Sequence, residues 1–404
     1  MSASNDTKAG IHLMPSSQLD EQCYHSLLIS LVRALAALQV AAAHLRATFF
    51  PDPGSIENPT LWYQALACAT GFAHLAVVMF FVISGWLVGG SFLNQHDRPD
   101  ALRLYAIDRV TRLWTVLLPA FLLIVVVGIM TGTLDPRSAF FSSSNAYSAT
   151  SFAGNLLGVQ TIILPTFGNN FPLWSLANGT WYYVMFPLMV MTMTPTYRWR
   201  ATGALVLCGA LLPLDMVLYF CIWLLGAAFA RVRVHCGVLV RALLLGAALA
   251  LCVHFRMTFQ QSGLTIASFP QDVLITIIFL LFLSSTVFKP ARPSGWLAAL
   301  RKWATLLANF SFTLYVVHVP AIGMAAWLGT HLLGTNEMPA DRLAGLGAYL
   351  LLLAALLLFS YGFYWLFEAR TFAVRRWLKD LFLTRRQPDA AALVGNKKKH
   401  ATLS

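Results

Sequence analysis

The sequence predicts an all-α fold: a polytopic transmembrane helix bundle of about ten helices with both termini cytoplasmic. Three observations predict it. Of 404 residues, 58% are hydrophobic and only 11% charged, where soluble domains carry roughly 25% charged residues. Apolar runs of about 20 residues, enough to span a bilayer, recur from end to end in place of the polar-faced elements of a soluble core. The Lys and Arg residues gather on alternate connections between those runs, as the positive-inside rule requires.

The chain divides into a polar cytoplasmic N-terminus (1–26), a transmembrane domain (27–380) and a basic cytoplasmic tail (381–404). The first 26 residues lack a small-residue cleavage site, so the run from Leu27 is an uncleaved first span and not a removable signal. Spans are expected near 28–50, 72–93, 113–132, 173–194, 201–214, 216–230, 238–255, 270–288, 305–333 and 343–368. The fifth and sixth are short and meet at Pro213 and Asp215; they read as two spans, as one broken hairpin, or as segments partly within the membrane. The connection 133–170, rich in Ser, Asn, Thr and Gly, reads as a plain connector or as a loop over an external face that meets a neutral acceptor. The lysines closing the tail suit a disordered segment lying against anionic lipid.

With the N-terminus inside, only Arg46, Arg137, Arg256 and Arg342 of the 28 Lys and Arg fall outside, and Arg33 falls within a span. The net charge of +12 therefore orients helices and meets anionic lipid. No basic stripe interleaves with exposed aromatics, so nucleic acid is not expected as a partner. The six cysteines form no CxxC pair and no Cys/His cluster, so neither disulfides nor a metal site is expected.

Ionisable groups inside a bilayer are costly and mark function by default. In LVRALAALQVAAAHLRATFF, Arg33 and His44 stand eleven residues apart, which returns them to within roughly 20° of one helix face and separates them by roughly 16 Å. They form one polar stripe running from the inner surface inward; the alternative is a snorkelling arginine and a packing histidine. Arg103, Arg109 and Arg112 sit on the cytoplasmic side before the third span, a pattern that binds phosphates or only sets topology. Tyr315 and His318 share a helix face in SFTLYVVHVP. Asp215 and Asp272 lie near helix ends and are expected to be solvated, and Glu368 at the end of the last helix is expected to pair with a nearby arginine.

Five ordered motifs over residues 26–380 make the chain resemble the acyltransferase-3 family, membrane O-acyltransferases of bacterial surface glycans and some secondary metabolites. Arg33 and His44 match its Arg-x10-His pair, and FFVISGWLVG at 80–89 resembles its FFVLSGFLI segment. Arg109 and Arg112 match its paired arginines. LWSLANGTWYYVMFPL at 173–188, with Trp174 and Asn178, resembles LWSLxxExxFYxxFPL, and SFTLYVVHVP at 311–320 resembles SYxLYLxHxP.

The resemblance implies transfer of an acyl group, usually acetyl, from cytoplasmic acyl-coenzyme A to a hydroxyl, often of a glycan or glycolipid at the outer side of the inner membrane. No permanently bound cofactor is implied. His44 would act as general base, and Arg33 would orient the donor or stabilise developing charge. Arg103, Arg109 and Arg112 would hold donor phosphates. A covalent route through Ser84 is the alternative, although in FFVISG its other role is close helix packing. The alternative acceptor is a small secondary metabolite such as a macrolide sugar. One departure stands out: where the family has a glutamate, this chain has Gly179. That change allows a weakened or inactive copy, and the polar stripe alone also describes a transporter of acyl donors or lipid-linked sugars. It also creates an Asn178-Gly179-Thr180 sequon, read as accidental because it lies near or within the membrane.

Overall fold

Fifteen helices and one two-stranded ribbon make up the computed structural model, which describes residues 10–17, 20–135, 137, 146–258, 264–289 and 295–383. In chain order the helices are α1 (Tyr24–Phe49), α2 (Leu61–Ala69), α3 (Ala73–Ser84), α4 (Gly90–Leu93), α5 (Ala101–Met130), α6 (Ala149–Leu157), α7 (Leu173–Met191), α8 (Arg198–Leu211), α9 (Leu214–Phe229) and α10 (Val238–Thr258). They continue as α11 (Phe269–Ser284), α12 (Gly295–Asn309), α13 (Ser311–Leu333), α14 (Leu343–Leu366) and α15 (Thr371–Leu383). A wide turn at Gly85–Gly89 joins α3 to α4. Residues 384–404, and with them most of the expected tail, lie outside the described residues; Leu381–Leu383 belong to α15.

Six helical stretches are long and apolar enough to cross a membrane: Tyr24–Ser55, Leu61–Leu93, Ala101–Met130, Val238–Thr258, Ser311–Leu333 and Leu343–Phe382. The other four expected spans are also helical, as α7, α8, α9 and α11. The two apolar ones, α9 and α11, have 16 residues each, about 24 Å at 1.5 Å per residue against a hydrocarbon core of about 30 Å. Pro213 separates α8 from α9 in an extended conformation, so residues 201–230 form two helices. Leu243, Leu249, Val253, Leu351 and Leu358 face outward. An apolar exterior of this kind suits lipid and not water.

Three expected boundaries move for local reasons. Helix α5 starts at Ala101, not 113, because its polar first turns are held against α15, where Arg375 and Lys379 approach Asp108 at 3.3 and 2.9 Å. The expected span 305–333 breaks at Phe310. Ala308 gives its carbonyl to the Ser311 hydroxyl at 2.7 Å and to Arg33 Nη2 at 3.1 Å, and α12 becomes a separate amphipathic helix. It buries Leu297, Ala304 and Ala308 and exposes Trp296 and Trp303, an arrangement suited to the membrane interface. The connection 133–170 carries α6, whose first turn is capped by Ser148 and whose end is closed by Gly158 at φ +77°, the left-handed position glycine favours.

The ribbon is the exception to an all-helical fold. Gly10–Leu13 (β1) pairs antiparallel with Val232–His235 (β2). It stands at the end of the bundle where α1 begins and α9 ends. There Tyr24 N and His25 N donate to the Phe288 and Thr286 carbonyls at 3.1 and 3.2 Å. At the same end the Lys289 ammonium lies 2.9 Å from Asp20 and holds that carboxyl below its ordinary range.

Helix α9 is the buried post of the bundle, with Tyr219, Ile222 and Trp223 at 0% exposure. Glycines let it approach α3. A Cβ on Gly85 would collide with the Trp223 carbonyl, and one on Gly226 with the Val82 carbonyl. Close approach through small residues is how helices gain packing where lipid supplies no hydrophobic drive. Gly85→Val is therefore expected to cost about 1–3 kcal/mol by overpacking and to lower the unfolding temperature of the detergent-purified protein. Gly203→Val in α8, where a Cβ meets nothing within 4 Å, should leave it unchanged.

Candidate active site

Helix α13 brings the candidate residues together because Pro320 sits inside it. Proline has no N–H to give the carbonyl four residues back, which leaves the Val316 carbonyl free to accept from Asn170 Nδ2 at 2.8 Å. Asn170 is fully buried, so the end of the 133–170 connection is drawn into the bundle, and the next residue, Phe171, sets its ring edge-on to His44 at 4.8 Å between centroids. Phe167 lies in the same core cluster as Val316 and Val317. The described part of the connection, residues 146–170, folds against the bundle.

His44 of α1 and His318 of α13 face each other, with His44 Nδ1 2.8 Å from His318 Nε2 and ring planes 13° apart. The bond that His318 makes elsewhere fixes the tautomers. Its Nδ1 lies 3.1 Å from the Leu314 carbonyl, and a carbonyl only accepts, so Nδ1 carries the proton and neutral His318 offers Nε2 as an acceptor. His44 must then donate from Nδ1, and its Nε2 keeps a lone pair. Among the described residues that Nε2 has no hydrogen-bond partner, and it is not among the sealed, unpartnered nitrogens of the bundle. The pair thus presents an oriented, unprotonated nitrogen. His318 is fully buried and His44 only partly so.

About 16 Å of helix below His44, Arg33 spends Nη2 on the Ala308 carbonyl at 3.1 Å and the Ser311 hydroxyl at 3.4 Å. It lies within electrostatic range of Arg112, Glu368 and Tyr183. Glu368, at 3% exposure, pairs with Arg112 at 2.5 Å and accepts from the Thr313 N–H and hydroxyl at 3.2 and 2.5 Å. Arg112 is thereby neutralised. Arg109 has no carboxylate partner among the described residues: its guanidinium lies 5.6 Å from the Tyr183 ring and 5.9 Å from that of Tyr105, with Nε buried and unpartnered. Arg103 points away into a surface pair with Asp100 at 3.5 Å. The structure therefore gathers Arg33, Arg109 and Arg112, with Arg109 as the uncommitted cation, and leaves Arg103 out.

The remaining candidates divide cleanly. The Ser84 hydroxyl accepts from Trp223 Nε1 at 3.1 Å and meets the Tyr183 hydroxyl at 3.2 Å, with no histidine beside it to activate it. The Tyr315 hydroxyl donates to the Pro172 carbonyl at 3.0 Å and lies 2.6 Å from the Ser175 hydroxyl, from which it can accept, anchoring the start of α7 while its ring lies 5.9 Å from His318. Trp174 packs at the edge of the largest core cluster. Asn178 is 5% exposed inside α7, so its sequon is closed to modification. Gly179 faces open space, with nothing within 4 Å of the Cβ it lacks. It stands one helical turn from Ser175, hence on the face that meets Tyr315.

Asp272 contradicts its sequence reading. It is 2% exposed, not solvated, because both its oxygens lie 2.9 Å from His74 Nε2. Asp215 is half-buried and accepts from the Met216 N–H at 2.9 Å. His74 escaped notice because it opens an apolar run with no polar residue in helical register beside it.

A family model described as an acyltransferase domain, that of the acyltransferase-3 family, matches residues 28–366, nearly the whole chain. The chain belongs to the acyltransferase-3 family. It is a multi-pass membrane protein of that family, and His44, His318 and the three clustered arginines all lie within the matched region. Comparison with curated proteins and with solved structures gives no match.

Removing one side of a buried ion pair leaves the other uncompensated. Glu368→Ala is expected to destabilise this acyltransferase-3 member by about 3 kcal/mol, read as a lower midpoint in thermal unfolding. The double variant Arg112→Met with Glu368→Leu should recover most of that loss.

Proposed function

We propose that this protein moves an acyl group, acetyl in the first instance, from cytoplasmic acyl-coenzyme A to a hydroxyl of a cell-surface glycan or glycolipid, working in the inner membrane with His44 as general base. The carrying observation is the His44–His318 bond, which leaves His44 Nε2 with a lone pair and no partner. A sugar hydroxyl is a weak nucleophile near neutral pH, and a fixed imidazole nitrogen relieves it of its proton as it attacks. The hydroxyl oxygen bonds to the thioester carbonyl carbon, its proton passes to His44 Nε2, the C–S bond breaks, and the departing sulfur takes that proton back. No net proton is consumed.

The donor reading rests on the opposite end of the stripe. Among the described residues Arg109 is a cation without a counter-ion, and Arg33 and Arg112 lie beside it. A cleft of ≈820 Å³ at the same end is lined by Lys289, Arg301, Lys302 and Asn309. Asn309 directly follows Ala308, whose carbonyl Arg33 holds. Charge-assisted bonds from such groups recognise phosphates, and the roughly 16 Å from Arg33 to His44 is of the order of a pantetheine arm. This end carries β1, β2 and most of the basic residues, which supports a cytoplasmic assignment for it and for both termini under the positive-inside rule. The ten helices then read as ten passes.

Purified protein in liposomes with labelled acetyl-coenzyme A, and mass analysis of surface glycans from cells with and without it, test this reading. His44→Ala is expected to slow transfer by about 10²–10⁴-fold; full transfer by that variant would show the base to be wrong. His318→Leu should lower kcat with little change in KM, while His318→Gln, which can still accept from His44 Nδ1, should recover part of the rate. Gly179→Glu is expected to fold normally and to raise the transfer rate, and an unchanged rate would remove the idea that this glycine weakens the enzyme.

A further inference from the structure

A second constellation of buried polar groups lies where α3 and α11 begin and α10 ends, away from the histidine pair. Its centre is Asp272. One carboxylate oxygen accepts the Tyr219 hydroxyl at 2.5 Å, and both engage His74 Nε2 at 2.9 Å. With Nε2 committed, the imidazole is held in one orientation and its Nδ1 is turned elsewhere. That Nδ1 is buried and has no partner. Arg256 lies against the bare Cα of Gly71, where a Cβ would collide with the guanidinium, and its Nε is likewise buried and unpartnered. Among the described residues Arg256 pairs with no carboxylate.

Both nitrogens belong to residues lining one cleft of ≈40 Å³, shared with Ser268, Gln271 and Asp272. Arg256 Nε is a donor, and His74 Nδ1 is one when the ring pairs with Asp272 as an imidazolium; buried donors without acceptors are costly and native folds seldom keep them. The first turns of α3 and α11 bring Phe72, His74, Gln271 and Asp272 to the same place, and helix N-termini present positive dipole ends and free N–H groups. Arg256 and two helix starts outweigh the single carboxylate of Asp272, whose charge is spent on His74 and Tyr219. A cation is disfavoured there. The enclosed volume is close to that of one or two water molecules, too small for a sugar ring; a phosphate would place part of its oxygens there from the open side of the cleft.

We propose that this cleft binds a phosphate group, whose oxygens accept from Arg256 and from the His74 imidazolium paired with Asp272, either from a lipid head group or as free phosphate. The place suits it, because α1 ends and α3 begins at this face, the one opposite the basic end, at the level of the other leaflet's head groups. The site stands apart from the histidine pair and owes nothing to the acyl-transfer reading.

The test is a binding readout on the delipidated full chain in neutral detergent. Its unfolding midpoint is followed in sodium phosphate against sodium chloride at matched ionic strength, and in bicelles of phosphatidylglycerol against phosphatidylcholine. A ligand at a hundredfold excess over Kd should raise the midpoint by about 3 °C. A rise with inorganic phosphate assigns free phosphate, and a rise with phosphatidylglycerol alone assigns a lipid head group. Arg256→Gln and His74→Gln should abolish the rise, Arg256→Lys should keep part of it, and the exposed control Arg342→Gln should keep all of it. If Arg256→Gln does not fold, Gly71→Leu, which displaces the guanidinium and keeps its charge, carries the same expectation of loss. No rise in either pair of conditions, or a rise that survives displacement of Arg256, overturns the proposal.

Discussion

Hydrocarbon offers no hydrogen bonds, so every polar group that enters the bundle must find its partner inside it, and α13 is where most of these obligations meet. Over six residues it gives Thr313 to Glu368, the Leu314 carbonyl to His318, Tyr315 to the start of α7, the Val316 carbonyl to Asn170 and the His318 ring to His44. Apart from the Leu314–His318 bond, which stays within α13, each bond ties a different element to this helix. The proline that ends the SFTLYVVHVP motif opens one of those positions by withholding an N–H. The motif is therefore as much a wiring panel as a site.

The same demand explains how the two histidines are oriented. A lone imidazole in an apolar bundle would rotate or choose either tautomer. Here a backbone carbonyl fixes the proton on one ring, that ring fixes the proton on the next, and the ring edge of Phe171 limits approach to one side. Orientation of the base comes from the fold and not from a neighbouring carboxylate.

The fold was legible in the sequence wherever length and polarity decide structure. All ten expected spans are helical, and Arg33 and His44 announced themselves because eleven residues return to one face. The first turns of α5 and the break at Phe310 were not legible, since ion pairs to α15 hold the one and side chains competing for the Ala308 carbonyl make the other. The bond between His44 and His318 spans 274 positions, and no spacing rule relates residues on different helices. The three arginines read alike in sequence. Their roles separate only when α15 and Glu368 take their places, with Arg112 neutralised, Arg103 drawn to Asp100 and Arg109 left uncommitted.

Arg33 is held by a carbonyl that is free to accept only because α12 stops at Asn309 and α13 starts afresh. Helix α12 carries its two exposed tryptophans where a bilayer surface would grip them, so the seat of Arg33 is set partly by the surrounding lipid. A micelle too small or too curved to hold α12 would loosen that seat while leaving the histidine pair intact. If the proposed donor site is right, preparations of this protein that keep their fold would differ in donor affinity by the amphiphile alone, and the choice of solubilising agent would enter the assay as a variable.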